Sequence, residues 1–97
     1  MNHFYLIGKL AEEPEKSVTT SGTKMIKFRV TAYGSNKESD NMGGINELVG
    51  FNGIAEEEYE TGTIMCFAGR IGTNNYTKDG VTYYRNNLIV NSIATLG

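Results

Sequence analysis

The chain has 97 residues, with twelve Gly, one Pro, six Tyr, four Phe and no Trp, enough for one domain with a modest core and better suited to a tightly turned β-barrel than to a helical bundle. Nine bases against eleven acids give a formal charge of −2, which excludes a uniformly basic nucleic-acid binder and leaves room only for a basic face. A single cysteine, Cys66, and a single histidine, His3, exclude an internal disulfide framework and any metal site built from several Cys or several His.

Residues 2–10 alternate. Phe4, Leu6, Gly8 and Leu10 fall on one side and Tyr5, Ile7 and Lys9 on the other, which is the period of a strand. Ala11 to Lys16, with Pro14 inside it, reads as a break or a strand bend, and Ser21-Gly22 as a turn. The second strand is the clearest, with Ile26, Phe28, Val30 and Ala32 facing inward and Lys27, Arg29, Thr31 and Tyr33 facing out. Gly34 to Gly44 is polar and long enough for a flexible hairpin loop.

A third strand is expected at about residues 45–53, with Leu48, Val49 and Phe51. Ala55 to Glu60 is the one credible helix, stopped by Thr61-Gly62. A fourth strand at about 63–76 puts Met65, Phe67, Gly69 and Ile71 on one face. Asp79-Gly80 marks a tight hairpin, and a fifth strand returns at about 81–93 with Tyr84, Leu88, Val90 and Ile93. No apolar run approaches a membrane span and no secretory leader is evident, so the expected location is the cytoplasm.

Five strands with a short helix between the third and fourth give the order of an all-β OB-fold, a five-stranded Greek-key barrel, here taken as a single domain over residues 1–97. Charge is segregated. Seven of the eleven acids lie in residues 12–16 and 56–60, and the remainder of the chain carries +4. Binding single strands without reading sequence needs cations to track phosphates and rings on which bases stack. Lys27, Arg29 and Tyr33 supply both on one face of the second strand, although the same pattern also describes an ordinary solvated barrel exterior.

Four phrases occur in a fixed order: Asn2 to Leu10 followed by Glu13-Pro14-Glu15; Phe51 to Glu56; Gly69-Arg70-Ile71; and Tyr76 to Gly80. Their order and spacing resemble the single-stranded DNA-binding protein family of bacteria and their phages, over nearly the whole chain. The resemblance implies stacking aromatics at Phe51 and Tyr76, for which the plain alternatives are a core residue and a hairpin-packing ring. Arg70 and Lys78 become candidate phosphate contacts, with Tyr83 and Arg85 as weaker candidates on the fifth strand. The chain also departs from the family pattern. Asn36 and Ile45 stand roughly where the family commonly has Trp, and Asn46, Glu47, Asn74 and Asn75 where it is often basic. Fewer cations imply weaker binding with a shallower salt dependence, as in a phage-like version of the family.

Cellular members usually add a disordered linker and an acidic tip that recruits repair enzymes. The sequence ends at Leu96-Gly97, so no tail-mediated recruitment is expected. The outward sides of strands one and four are apolar (Tyr5 and Ile7; Ile64, Cys66 and Ala68), which is either a slightly greasy monomer surface or a face covered by a second copy. The family assembles through its first strand, which implies a homodimer or tetramer.

His3 reads as a strand-surface residue and Cys66 as a half-buried structural thiol. Glu56, Glu57, Glu58 and Glu60 point in different directions from one short helix and do not converge on a substrate. No enzyme, metal or cofactor is expected. The leading expectation is sequence-independent binding and protection of single-stranded DNA during replication, recombination or repair. The alternative is an OB-fold protein-interaction module of the primosome-adaptor kind, with weak or no DNA binding.

Overall fold

The alternation in the second strand does what it predicts: Ile26, Phe28 and Val30 are fully buried and their odd-numbered neighbours face out. In the computed structural model, which describes residues 2–32 and 45–96 and only the backbone at residues 74 and 85, the elements run β1 (Phe4–Leu10), β2 (Glu15–Val18), β3 (Lys24–Ala32), β4 (Ile45–Phe51), α1 (Gly53–Glu56), β5 (Ile64–Lys78) and β6 (Val81–Thr95). The sheet order is β1-β5-β6-β4-β3-β2, and a further β1–β3 pairing closes it. Among the described residues the one parallel contact joins β4 to β6, Leu48 opposite Leu88 and Val49 opposite Ile89. Five strands in this closed order are the OB-fold barrel expected from the sequence. Closure pairs both edges of β1 and leaves β2 as the sheet's outer strand.

Phe28 organises the core. Its ring lies 5.5 Å from Phe67 and meets the edge of Tyr59 at 5.0 Å and 82°, the geometry favoured by the charge distribution of aromatic rings. Leu10, Leu48, Met65 and Val90 complete the fully enclosed set, and Ala55 of α1 closes one end.

Gly69 is where the barrel closes most tightly. A Cβ there would collide with the Ile89 carbonyl oxygen and come within 2.9 Å of the Phe4 ring. The β5–β6 register shifts between Ala68 and Gly69, and this bulge lays β6 across the glycine. Beyond it the two strands continue as a hairpin arm. Gly72 stands opposite Asn87 and Lys78 opposite Val81. The tip is the Asp-Gly turn read from the sequence, with Asp79 at φ 54° and Gly80 at φ 77°. Two positive φ values match the twist of a hairpin, and glycine adopts its share without strain. Asn2 fastens the arm's root: its Nδ2 donates to the Ile71 carbonyl at 2.5 Å and its Oδ1 accepts from the Ile71 N–H at 3.0 Å. The side-chain amide thereby acts as one more rung of the β1–β5 ladder.

Two expectations need correction. The segment Ala11–Lys16 is not wholly a break, because Glu15 and Lys16 begin β2, which pairs antiparallel with β3 from Glu15 opposite Lys27 to Val18 opposite Lys24. All four β2 residues are exposed, so no burial pattern marks the strand. The helix starts two residues earlier and is shorter than expected, Gly53–Glu56 in place of Ala55–Glu60. Glu57 is already extended (φ −79°, ψ 159°). Tyr59 turns back to lie on Phe28 and to donate its hydroxyl to the Ile54 carbonyl at 2.9 Å, and repulsion between Glu56 and Glu60 offers a helix no support there. The stretch 34–44 and Tyr33 lie outside the described residues.

Candidate nucleic-acid interface

The strand ladders bring the candidate residues onto one outer surface. On β3 the outward positions are Met25, Lys27, Arg29 and Thr31, facing Phe51, Val49, Glu47 and Ile45 of β4. Val49 stands beside Ile89 of β6, and Ile89 beside Arg70 of β5. Lys27, Val49, Ile89 and Arg70 therefore form one row across four strands, a span of about 14 Å at the usual interstrand spacing. The same face of β5 and β6 continues along the arm, Tyr76 opposite Tyr83, Lys78 opposite Val81, and Arg85 opposite the backbone of Asn74.

Phe51 is half-buried on this outer side and is not part of the core. Tyr76 and Tyr83 pack on one another, ring centroids 5.2 Å apart and planes 19° from parallel, yet they stay 48% and 43% exposed. Tyr76 is thus both a hairpin-packing ring and a platform open to solvent. Tyr33 and Asn36 lie outside the described residues. Ile45, roughly where the family commonly has Trp, is exposed opposite Thr31 and offers a methyl-covered edge in place of a ring.

The cations are unequally available. Arg29 meets Glu15 at 2.9 Å, Glu12 at 3.4 Å and Glu47 at 3.6 Å, and Lys27 lies 3.7 Å from Glu47. The hydrogen bond to Glu15 raises the Arg29 pKa above its ordinary value against the opposing effect of burial, and the three carboxylate charges add to it. Among the described residues, two bases against three acids leave this part of the face with a surplus negative charge. Sequence reading did not find the ring of acids. Its signal was Glu15 falling opposite Lys27, legible only once β2 is known to pair with β3. Arg70 and Lys78 are exposed, and no ion pair is described for either.

The sequence profile of the Single-strand binding protein family matches residues 1–96. The chain belongs to that family. Among solved structures, the chain is similar to the Plasmodium falciparum SSB in complex with ssDNA, at 15% identity and TM-score 0.69, covering all of this chain and 96% of that one. It is also similar to the wild-type single-stranded DNA binding protein from Thermus aquaticus (20% identity, TM-score 0.78) and to a deletion mutant of that protein (22%, TM-score 0.73). All of this chain is covered in both, but only 50% and 51% of theirs, so it spans about half the length of the Thermus proteins. At these identities the likeness establishes the shared barrel. No curated protein sequence matches the chain.

The opposite, barrel-side half of β5 has another character. Ile64, Cys66 and Ala68 lie outward opposite Lys9, Ile7 and Tyr5 of β1. Tyr5 is 76% and Ile7 44% exposed. The outer face of β5 in this family member thus changes at Gly69, from apolar beside β1 to cationic and aromatic along the arm. Cys66 is half-buried, as expected of a structural thiol. Among the described residues no helix is long and apolar enough to cross a membrane.

Proposed function

We propose that the domain binds single-stranded DNA without reading its sequence, on the outer surface of β3, β4, β6 and β5 and along the β5–β6 arm. The observation that carries this reading is the stacked, solvent-open pair Tyr76–Tyr83, set between Arg70 and Lys78 on the same face of β5. Rings supply a sequence-tolerant stacking surface and the flanking cations hold phosphate. Phe51, Lys27 and Arg85 extend the surface, and Arg29 does so only when its carboxylates give way. The role is non-catalytic: coating strands exposed during replication, recombination or repair, in the cytoplasm. The Plasmodium relative was solved with ssDNA, which supports the choice of ligand.

The apolar area of Tyr5, Ile7, Cys66 and Ala68 is read as the contact with a second copy. Assembly places several weak surfaces on one strand and raises their effective concentration.

The acids around Lys27 and Arg29 favour one competing reading, a protein-interaction module with weak DNA binding. Fluorescence anisotropy with labelled dT oligomers and a matched duplex, at low and physiological salt, separates the two. Salt-sensitive binding that prefers the single strand is expected, and absence of binding to either at micromolar protein overturns the proposal.

A further inference from the structure

Each nitrogen of the Arg29 guanidinium faces a carboxylate oxygen of the chain itself. Nε is 3.4 Å from Glu12 Oε1, Nη1 donates to Glu15 Oε1 at 2.9 Å, and Nη2 is 3.6 Å from Glu47 Oε2. A phosphodiester offers its oxygens to the planar fork in the same way. Glu47 belongs to the barrel strand β4, whereas Glu12 and Glu15 come from the segment that leads into and begins β2. That segment joins the sheet through four register pairs with β3 alone.

We infer that Arg29 is a phosphate-binding position of the nucleic-acid face that the chain keeps masked, with the carboxylates of Glu12 and Glu15 standing in for backbone phosphates. The inference rests on the single-strand reading above and adds to it two residues that set affinity.

Arg29 is in the right place for this role, two residues along β3 from Lys27, which begins the row leading to Arg70. The mask is also exchangeable. Both glutamates are more than half exposed, and exposed pairs are weak and screened by salt, so a polyanion can displace them. Removing their two charges turns the surplus around Lys27, Arg29 and Glu47 from negative to positive. A strand binding the native chain exchanges carboxylate for phosphate at Arg29 and gains little from counterion release there.

The test compares native chain, Glu12→Gln/Glu15→Gln, and Glu57→Gln/Glu60→Gln, which makes the same charge change at residues that do not pair with Arg29. Each is titrated onto a labelled dT oligomer across a salt series. The first variant is expected to bind about three- to tenfold tighter at low salt, with a salt slope steeper by about 0.7, one phosphate's worth for a single strand. The second is expected to gain much less, and adding Arg29→Ala to the first should abolish its gain.

An equal gain in both double variants means a long-range charge effect and overturns the inference, as does a gain that survives Arg29→Ala. A native chain that binds dT while Glu12→Gln/Glu15→Gln binds no better overturns the inference and leaves the single-strand reading intact. Failure of both to bind overturns the two together. Binding by Glu12→Gln/Glu15→Gln alone supports the mask at Arg29 and overturns the reading that the native chain itself binds single strands.

Discussion

Tyr76 and Tyr83 face each other across the β5–β6 ladder at 5.2 Å, nearly parallel, each with close to half its surface open. In the proposed reading the two rings support one another and act as one preformed platform for bases. Tyr76→Ala and Tyr83→Ala should each weaken dT binding by about 1–3 kcal/mol with little change in salt slope. The double variant should lose less than the sum, because either single change already leaves the remaining ring unsupported. Anisotropy titrations of the three variants check this, and full additivity would mean the rings act separately.

Phosphate contacts should separate by how far each cation is already engaged. Lys27 lies 3.7 Å from Glu47, whereas no pair is described for Arg70 or Lys78. Arg70→Ala and Lys78→Ala are each expected to lower the salt slope by about 0.7, and Lys27→Ala by clearly less. Equal slopes for all three would show that Lys27 is not engaged by Glu47 in the free protein.

Gly69→Ala should destabilise the barrel by about 3 kcal/mol, at the upper end for overpacking. The obstruction is the Ile89 backbone carbonyl, which cannot rotate away as a side chain can. Urea unfolding measures the effect. Gly80→Ala, with open space around its Cβ but φ at 77°, is expected to cost less, about 1 kcal/mol.

The barrel was legible because its strands announce themselves by burial. Ile26, Phe28 and Val30 alternate with exposed or half-exposed residues, and Asp79-Gly80 fits only a tight hairpin. β2 was not legible, because a strand held by backbone hydrogen bonds at the sheet edge needs no apolar face. The extent of the helix failed for a related reason. Tyr59 draws the chain back to Phe28 and Ile54, and composition does not encode such a tertiary contact. At the candidate site the sequence names Tyr76, Tyr83, Arg70 and Lys78 one by one, and only strand register shows that they share a face. It does not reveal the acidic neighbours of Lys27 and Arg29, which come from outside their own strand.

Ile7→Glu should separate the proposed assembly. Ile7 stands opposite Cys66, between Tyr5 and Lys9 on an outward, largely apolar area, where enclosing a carboxylate against a second copy would cost its desolvation. Light scattering is expected to fall from a multiple of 10.7 kDa to that monomer mass, with the circular dichroism spectrum unchanged. A native chain that is monomeric at every concentration tested would overturn the second-copy reading.

Tyr59 gives the fold an alkaline limit. Burial raises its phenol above the ordinary 10.0, and the charge of Glu57 adds to the shift. The folded state therefore holds this proton after the unfolded chain has released it. The associated stability is fully present below the unfolded value and is lost as pH rises through the folded one. Tyr59→Phe removes that titration and also the hydroxyl's bond to the Ile54 carbonyl, at a cost of about 1 kcal/mol at neutral pH. Urea unfolding of both proteins at pH about 8 and about 11 tests the sign: the difference between them should shrink at the higher pH, and a difference that stays constant would mean Tyr59 titrates alike in both states.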